Sequence, residues 1–220
     1  MPKASRRNLY GRHSGRPLRK NPAAAYARVI ANQSFDGTVT DQDIWLEIGF
    51  GAGEHLAWQA AHNPQALHIG AEYYLNGVAR ACQHVLEGGL ENVLIHHGDG
   101  RDLIDRLLVC GARGRVKRVF ILHPDPWPKA RQWRRRLICA ETFDMLAQLM
   151  SGGAILRLAS DHGDYQPWIM RVLMAHPAFV WTAQRVADWT VRPKDWPQTR
   201  YEAKSIREGR PTMYIEATRL

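Results

Sequence analysis

The sequence predicts a doubly wound α/β sheet, and three observations carry that expectation. Short apolar runs alternate with amphipathic helical patterns along most of the 220 residues, the mark of βαβ units with helices on both faces. A glycine-rich turn, Glu47-Ile-Gly-Phe-Gly-Ala-Gly53, follows the first run. Acidic residues then close the next two runs, at the edge where such a sheet binds ligands. With 45% hydrophobic residues the chain can bury one sizeable core, and its length suits one domain.

The elements follow in order. Ile44–Ile48 reads as the first strand, and Glu54–His62 as a helix stopped by Asn63 and Pro64. Residues 66–71 form the second strand. The next helix carries Leu75, Val78, Cys82 and Val85 at spacings of 3, 4 and 3 and ends at Gly88 and Gly89. Residues 93–96, Val116–Leu122 and 153–158 give strands three to five, and 179–183 and 213–218 the last two. Between those two lies the stretch 184–211, with Trp189, Pro193, Trp196 and Pro197; a connection this long in a compact domain points to function. A helix after the fourth strand has its core stripe at Cys139, Phe143, Leu146 and Met150. Extended backwards by 4 and 3, the stripe reaches Arg135 and Gln132, which predicts those two turned inward and Arg134 and Arg136 turned out toward phosphates.

The net charge of +9 is unevenly placed. Residues 1–28 hold eight bases (Lys3, Arg6, Arg7, Arg12, Arg16, Arg19, Lys20, Arg28) and no acid, and residues 113–136 hold nine bases against the lone acid Asp125. Two such blocks suit an anionic polymer, because each phosphate neutralised releases counterions; a solvated basic tail is the plainer alternative for the first block. Residues 1–35 therefore read as a basic arm that can stay disordered without RNA, ahead of a folded domain at 36–220. No apolar stretch approaches the ~20 residues of a membrane span, and no leader pattern opens the chain, so a soluble, cytoplasmic protein is expected. Cys82, Cys110 and Cys139 are too widely spaced for a zinc pair and read as reduced thiols. No metal site is expected, and monomer and homodimer are equally compatible with the pattern.

Gly49, Gly51 and Gly53 let backbone approach a ligand closely. Their spacing differs from the dinucleotide fingerprint, and Glu47 beside them would repel a pyrophosphate and welcome a cation. Glu72 follows 25 residues later (72 − 47), near the distance expected of an acid that binds ribose hydroxyls. Asp99, in Gly98-Asp-Gly100, ends the third strand; it suits an adenine amine, and equally a helix N-cap. S-adenosylmethionine fits the three acids, since it carries a sulfonium and an ammonium and no phosphate.

Directly after strand four comes His123-Pro-Asp-Pro-Trp-Pro-Lys129. Its prolines stiffen a loop that presents Asp125, Trp127 and Lys129. An aromatic ring can stack on a flipped base, a carboxylate can accept from the guanine N1 and N2 edge, and a lysine can meet phosphate. Thr199-Arg-Tyr-Glu202 reads as a substrate segment, and also as a T-x-x-E capping box that starts a helix through Arg207.

Taken together, Glu47-Ile-Gly-Phe-Gly, Pro124-Asp-Pro-Trp-Pro-Lys with Arg134-Arg-Arg-Leu137, and Thr199-Arg-Tyr-Glu202 resemble the bacterial tRNA (guanine-N7)-methyltransferase family over about residues 40–220. The resemblance implies a Rossmann-like class I methyltransferase fold, a seven-stranded, mostly parallel sheet with an antiparallel last strand. It further implies S-adenosyl-L-methionine as cofactor, tRNA as partner and methylation of the variable-loop guanine. Glu47, Gly49, Gly51, Gly53, Glu72, Asp99 and Asp125 would hold the cofactor, with Asp125 also catalytic. Lys129, Arg135, Asp161, Thr199, Arg200, Tyr201 and Glu202 would face substrate. Two positions depart from the family's pattern, Gln132 where it commonly has His and His123 where it usually has an aromatic, so a proton shuttle at 132 is not expected. Other readings are a methyltransferase acting on an exocyclic amine, a nicotinamide oxidoreductase, which Glu47 disfavours, and an RNA-binding module with a vestigial pocket.

Overall fold

The computed structural model describes residues 10–39 and 41–220, so Lys3, Arg6 and Arg7 of the basic arm lie outside the described residues. One sheet contains β1 (Ile44–Ile48), β2 (Leu67–Glu72), β3 (Val93–His97), β4 (Val116–Leu122), β5 (Met150–Ser160), β6 (Phe179–Trp181) and β7 (Met213–Arg219). Their order is β3-β2-β1-β4-β5-β7-β6. Strands β1 to β5 pair in parallel, and β7 runs antiparallel to both β5 and β6. That is the expected architecture.

Eight α-helices accompany the sheet among the described residues: α1 (Lys20–Asn32), α2 (Glu54–His62), α3 (Leu75–Glu87), α4 (Gly100–Val109), α5 (Ala140–Leu149), α6 (Tyr165–Ala175), α7 (Ala187–Thr190) and α8 (Arg200–Arg207). Successive strand residues point to opposite faces, and both faces of β1 are covered, so Ile44-Trp-Leu-Glu-Ile48 is buried throughout. Ile44, Leu46 and Ile48 meet Leu103, Leu107, Phe143, Leu146, Ile169 and Leu173 from α4, α5 and α6. On the other face Leu56 of α2 and Val78, Cys82 and Val85 of α3 pack with Ala25 and Val29 of α1. Further along that face Trp196, only 3% exposed, packs with Trp45, Phe120 and Tyr214. Asp195 beside it takes Arg157 at 2.9 Å and Arg118 at 3.5 Å. The long 184–211 connection is thus docked on the sheet, and no helix among the described residues is long and apolar enough to cross a membrane.

The structure differs from the sequence reading at several points. The basic segment expected as an arm includes α1, whose apolar side, Ala25 and Val29 with Tyr26 and Ile30, packs along α3; its bases draw the sequence reading toward an arm. Gln33, which ends α1, sends its side-chain amide to Leu90 O and Val93 O at 2.7 and 3.1 Å. The helix projected through residues 132–150 is broken. Ala130–Arg135 is a short 3₁₀ turn, Cys139 is extended, and α5 starts at Ala140. A helical phase cannot be carried across such a break, so the stripe extended from Cys139 has no force at Gln132. Strand β5 begins at Met150, three residues early, because Met150 pairs with Val116. Strand β6 ends at Trp181, two residues short of 183.

Burial also leaves a pH signature. His68 on β2 is 1% exposed, its Nε2 donates to Asn63 O at 3.3 Å, and desolvation pushes its pKa down to about 4. The unfolded chain binds that proton near pH 6.5, so the stability contributed by neutral His68 is complete above about 6.5 and is lost as pH falls toward 4. His68→Gln is expected to flatten the fall of melting temperature over that window, measured by circular dichroism.

Candidate active site

Strand order reverses between β1 and β4, where connections leave for opposite faces and a crevice opens at the carboxyl edge. It encloses about 540 Å³, within the range of small-molecule sites. Gly49 and Gly51 line its floor, with Gly53 just behind them. Gly49, Gly51 and Gly53 have φ of +75°, +59° and +81°, a left-handed run that side chains resist. Gly49 N donates to Ala71 O at 2.8 Å, and Gly51 N to Glu72 Oε2 at 2.9 Å. Gly77 of α3 lies beneath the turn, where an added Cβ would stand 2.4 Å from Gly51 O.

The three strand-end acids converge as expected. Glu47 is 3% exposed and accepts from His55 Nδ1 at 2.7 Å, while Gln59 donates to the other nitrogen of that ring at 3.2 Å. Glu72 Oε1 accepts from Tyr73 N and Tyr74 N, both at 2.7 Å. Burial raises the Glu72 pKa against the pull of those backbone donors. Asp99 caps α4, accepting from Arg101 N at 2.9 Å and from the Arg101 guanidinium at 2.6 Å, so its N-cap reading holds, and it also lines the crevice. Glu54, in the first turn of α2, pairs with Arg200. Carboxylates at 47, 54 and 72 surround the glycine turn, which disfavours a pyrophosphate and suits a cationic ligand.

The proline loop enters from the β4 side. His123 and Trp127 take φ of 50° and 42°, a region uncommon for residues with side chains. Asp125 and Trp127 line the crevice, and partial loss of hydration there raises the Asp125 pKa. Arg135 lines it too, its guanidinium carbon 5.0 Å from the Trp127 ring centroid and 4.5 Å from that of Tyr10. Thr199 and Tyr201 close the third side, with Tyr201 against the glycine turn, 3.5 Å from where a Gly51 Cβ would stand.

Other expected site residues lie elsewhere. Gly53 stands one step back as the N-cap of α2, and Lys129 is exposed outside the crevice. Arg200 reaches the site through Glu54. Asp161 sits behind His123, accepting from His123 Nδ1 at 3.4 Å and Arg210 Nε at 2.8 Å. Burial would raise the Asp161 pKa, but Arg210 and His123 outweigh it and hold it below the usual value. Glu202 is 2% exposed and turned away from the crevice, bound by Tyr214 OH and, at 3.2 Å, by Arg192 Nε. Half of the capping box forms, with Glu202 N donating to Thr199 Oγ1 at 3.2 Å. Gln132 is half-buried and outside the lining.

The expectation for Arg136 is overturned. It does not face phosphate; it is 3% exposed, with Nε donating to Pro126 O at 2.9 Å, because the helix expected to turn it outward is broken there. The second basic block is also two groups. Arg115 and Arg118, at the opening end of β4, pair with Asp41 and Asp195, at the sheet edge opposite the crevice, while Arg135 lies at the crevice itself.

Sequence reasoning missed His55, Tyr73, Tyr74 and Arg101, which line the crevice beside residues it named; adjacency to Glu72 was the available signal for the two tyrosines. It also missed Tyr10, Gly11 and Arg12. Their strap is held by a backbone bond from Leu75 N to His13 O at 2.9 Å and by Gly15 N donating to the Asn76 side chain, Oδ1, at 2.7 Å, and contacts this remote in sequence leave no local pattern.

A seven-stranded sheet of this order, with a glycine turn and three strand-end acids at its switch point, defines a Rossmann-like class I methyltransferase fold. Solved structures agree: an rRNA methylase from Streptococcus thermophilus superposes with a TM-score of 0.55 at 10% identity, covering 93% of this chain and 99% of that one. The 16S rRNA methyltransferase KamB does so at 0.57 and 16%, covering 94% and 98%. Residues 41–215 match the family described as putative methyltransferase. The tRNA (guanine-N(7)-)-methyltransferase of Azorhizobium caulinodans is 41% identical, over 96% of this chain and 95% of its own, and that of Ruegeria pomeroyi is 42% identical, over 100% and 97%. The chain belongs to this tRNA (guanine-N(7)-)-methyltransferase family.

Gly77→Ala is expected to displace the glycine turn, lowering stability by about 1–3 kcal/mol in urea titrations and weakening any crevice ligand. Gly89→Ala, with open space around its Cβ position but a φ of +58° that strains any side chain, is the control: it lowers stability away from the site and leaves crevice binding unchanged.

Proposed function

We propose that this protein transfers the methyl group of S-adenosylmethionine to N7 of a guanine in tRNA, the variable-loop guanine being the target. The observation that carries the reading is the meeting of two half-sites in one crevice: the acids at the ends of β1, β2 and β3, and the Asp125–Trp127 loop from β4. The relatives' names support tRNA as the substrate, and a tRNA substrate is in keeping with a cytoplasmic enzyme.

S-adenosylmethionine brings a methyl group on a sulfonium. Glu47 receives the cationic amino acid end, with His55 fixing its carboxylate; Glu72 faces the ribose hydroxyls and Asp99 the adenine amine. Trp127 stacks on the base, and Arg135, Thr199 and Tyr201 border its entry, with Lys129 and Arg200 outside for phosphate. Asp161 and Glu202 support this side from behind, Asp161 through His123 and Glu202 through the turn that begins α8. Guanine N7 already has a free lone pair, so attack needs no proton removed. Asp125 therefore orients the base through its N1 and N2 edge and offsets the positive charge that grows on the purine. No residue is needed at 132 for a proton relay, in keeping with Gln132.

Titration calorimetry is expected to show Glu47→Gln and Glu72→Gln each weakening S-adenosylmethionine binding by about tenfold, equivalent to ~1.4 kcal/mol, with tRNA affinity little changed. Because burial raises the Glu72 pKa, wild-type cofactor affinity should begin to fall at a higher pH than a free carboxylate would dictate, as the sample is acidified from 7. The assay of function uses labelled S-adenosylmethionine and unmodified tRNA transcript, followed by nuclease digestion and mass spectrometry. The expected product is 7-methylguanine at one site, reduced at least about a hundredfold by Asp125→Ala. Methyl on the guanine amine would reassign the acceptor atom, and cofactor binding without transfer to RNA would overturn the reading.

A further inference from the structure

We propose that Arg136, assisted by Trp133, is a positioning residue that clamps the 123–129 loop and so holds Asp125 and Trp127 at the crevice. Its kinetic consequence rests on the methyl-transfer reading above; the clamp itself rests on geometry alone.

The loop is poorly equipped to hold itself. Pro124, Pro126 and Pro128 have no N–H to donate, and Trp127 between them sits at a φ of 42°, a conformation that persists only where its surroundings enforce it. Two side chains from the following segment supply the donors. Arg136 Nε donates to Pro126 O at 2.9 Å, and Trp133 Nε1 to Pro128 O at 3.4 Å. The two carbonyls flank Trp127, so the pair grips the backbone on either side of the ring offered to substrate.

Arg136 is built into this place. It is 3% exposed, and its guanidinium carbon lies 4.6, 5.0 and 5.1 Å from the ring centroids of Trp168, Tyr165 and Trp133. Those aromatic faces offset the hydration the cation gives up, and its charge strengthens the bond to Pro126. The cage is anchored in turn, with Trp168 Nε1 donating to Ile138 O at 2.7 Å and Ile138 N donating to Tyr165 OH at 3.2 Å. Nη2 of Arg136 is buried with no hydrogen-bond partner among the described residues. An apolar side chain would fill the cage without that cost, so the guanidinium's distinct contribution is the directed N–H at Nε. Lysine, a point charge on a flexible stem, does not reproduce that fork.

The test compares wild type with Arg136→Met and Arg136→Lys, checked for folding by thermal melts. Both are expected to bind S-adenosylmethionine and tRNA within about threefold of wild type, while the rate at saturating substrates falls at least about tenfold, as displacement of a positioned group does. Amide exchange of residues 123–135 should quicken, with the sheet unchanged. Methylguanidinium added to Arg136→Ala should restore part of the lost rate. A folded variant with normal saturated rate and normal exchange overturns the proposal. A salt slope for tRNA binding reduced by about one unit also overturns it, because Arg136 would then be a phosphate contact. Should no Arg136 variant fold, Trp133→Phe decides: the residue is 41% exposed, and the change keeps an aromatic face, smaller than the indole, while removing the N–H to Pro128. Slower transfer with faster exchange is expected, and neither would refute the clamp. Wild type that transfers no methyl to tRNA fails the functional reading instead, and the exchange readout still scores the clamp.

Discussion

Parallel pairing of β1 with both β2 and β4 governs the placement of every group in the crevice. The chain leaves β1 toward the face covered by α2 and α3 and leaves β4 toward the face covered by α5. No connection can then close the space between the two carboxyl ends. Each group in that space hangs from a buried strand: Glu47 is the fourth residue of β1, Glu72 the last of β2, and Asp99 follows β3 by two. Rigid strands set the spacing of the acids more tightly than loops could.

Gathering acids at one turn carries an electrostatic cost, and each neighbour can be read as a partial remedy. Glu47 has His55, Glu54 has Arg200, Asp99 has Arg101, and Glu72 has three backbone N–H groups. Burial still keeps the Glu72 and Asp125 carboxyls less willing to ionise than free ones. A site in that condition gains from a bound cation, since the ligand removes repulsion the protein only partly screens. The same feature explains why the glycine turn is a poor seat for phosphates although its geometry would accommodate them.

Two segments remote in sequence complete the crevice, by different means. The C-terminal segment is docked through Trp196 in the core and Asp195 on Arg157 and Arg118, which delivers Thr199 and Tyr201 to the glycine turn. The N-terminal strap is tied to the start of α3 by backbone and Asn76 bonds, which delivers Tyr10 to Trp127. The proline loop between them depends on Arg136 and Trp133 for the donors its own prolines lack.

The sequence by itself determined the strand ladder, the glycine turn, the three acids and the proline loop, because each is written locally. Apolar runs, breakers and residues with special backbone freedom act within a few positions of themselves. Ile44–Ile48, Glu54–His62 and Val116–Leu122 were legible to the residue for that reason. Tertiary structure alone decided what depends on distant partners. Arg134, Arg135 and Arg136 are indistinguishable as letters, yet one is exposed, one stacks between Tyr10 and Trp127, and one is buried under three rings. Glu202 was legible as part of a motif, but its inward turn depends on Tyr214, and the strap's path depends on α3. Backbone preference fixes a local conformation, whereas the facing of a charged side chain is set by whichever aromatic, carbonyl or carboxylate the fold brings within reach.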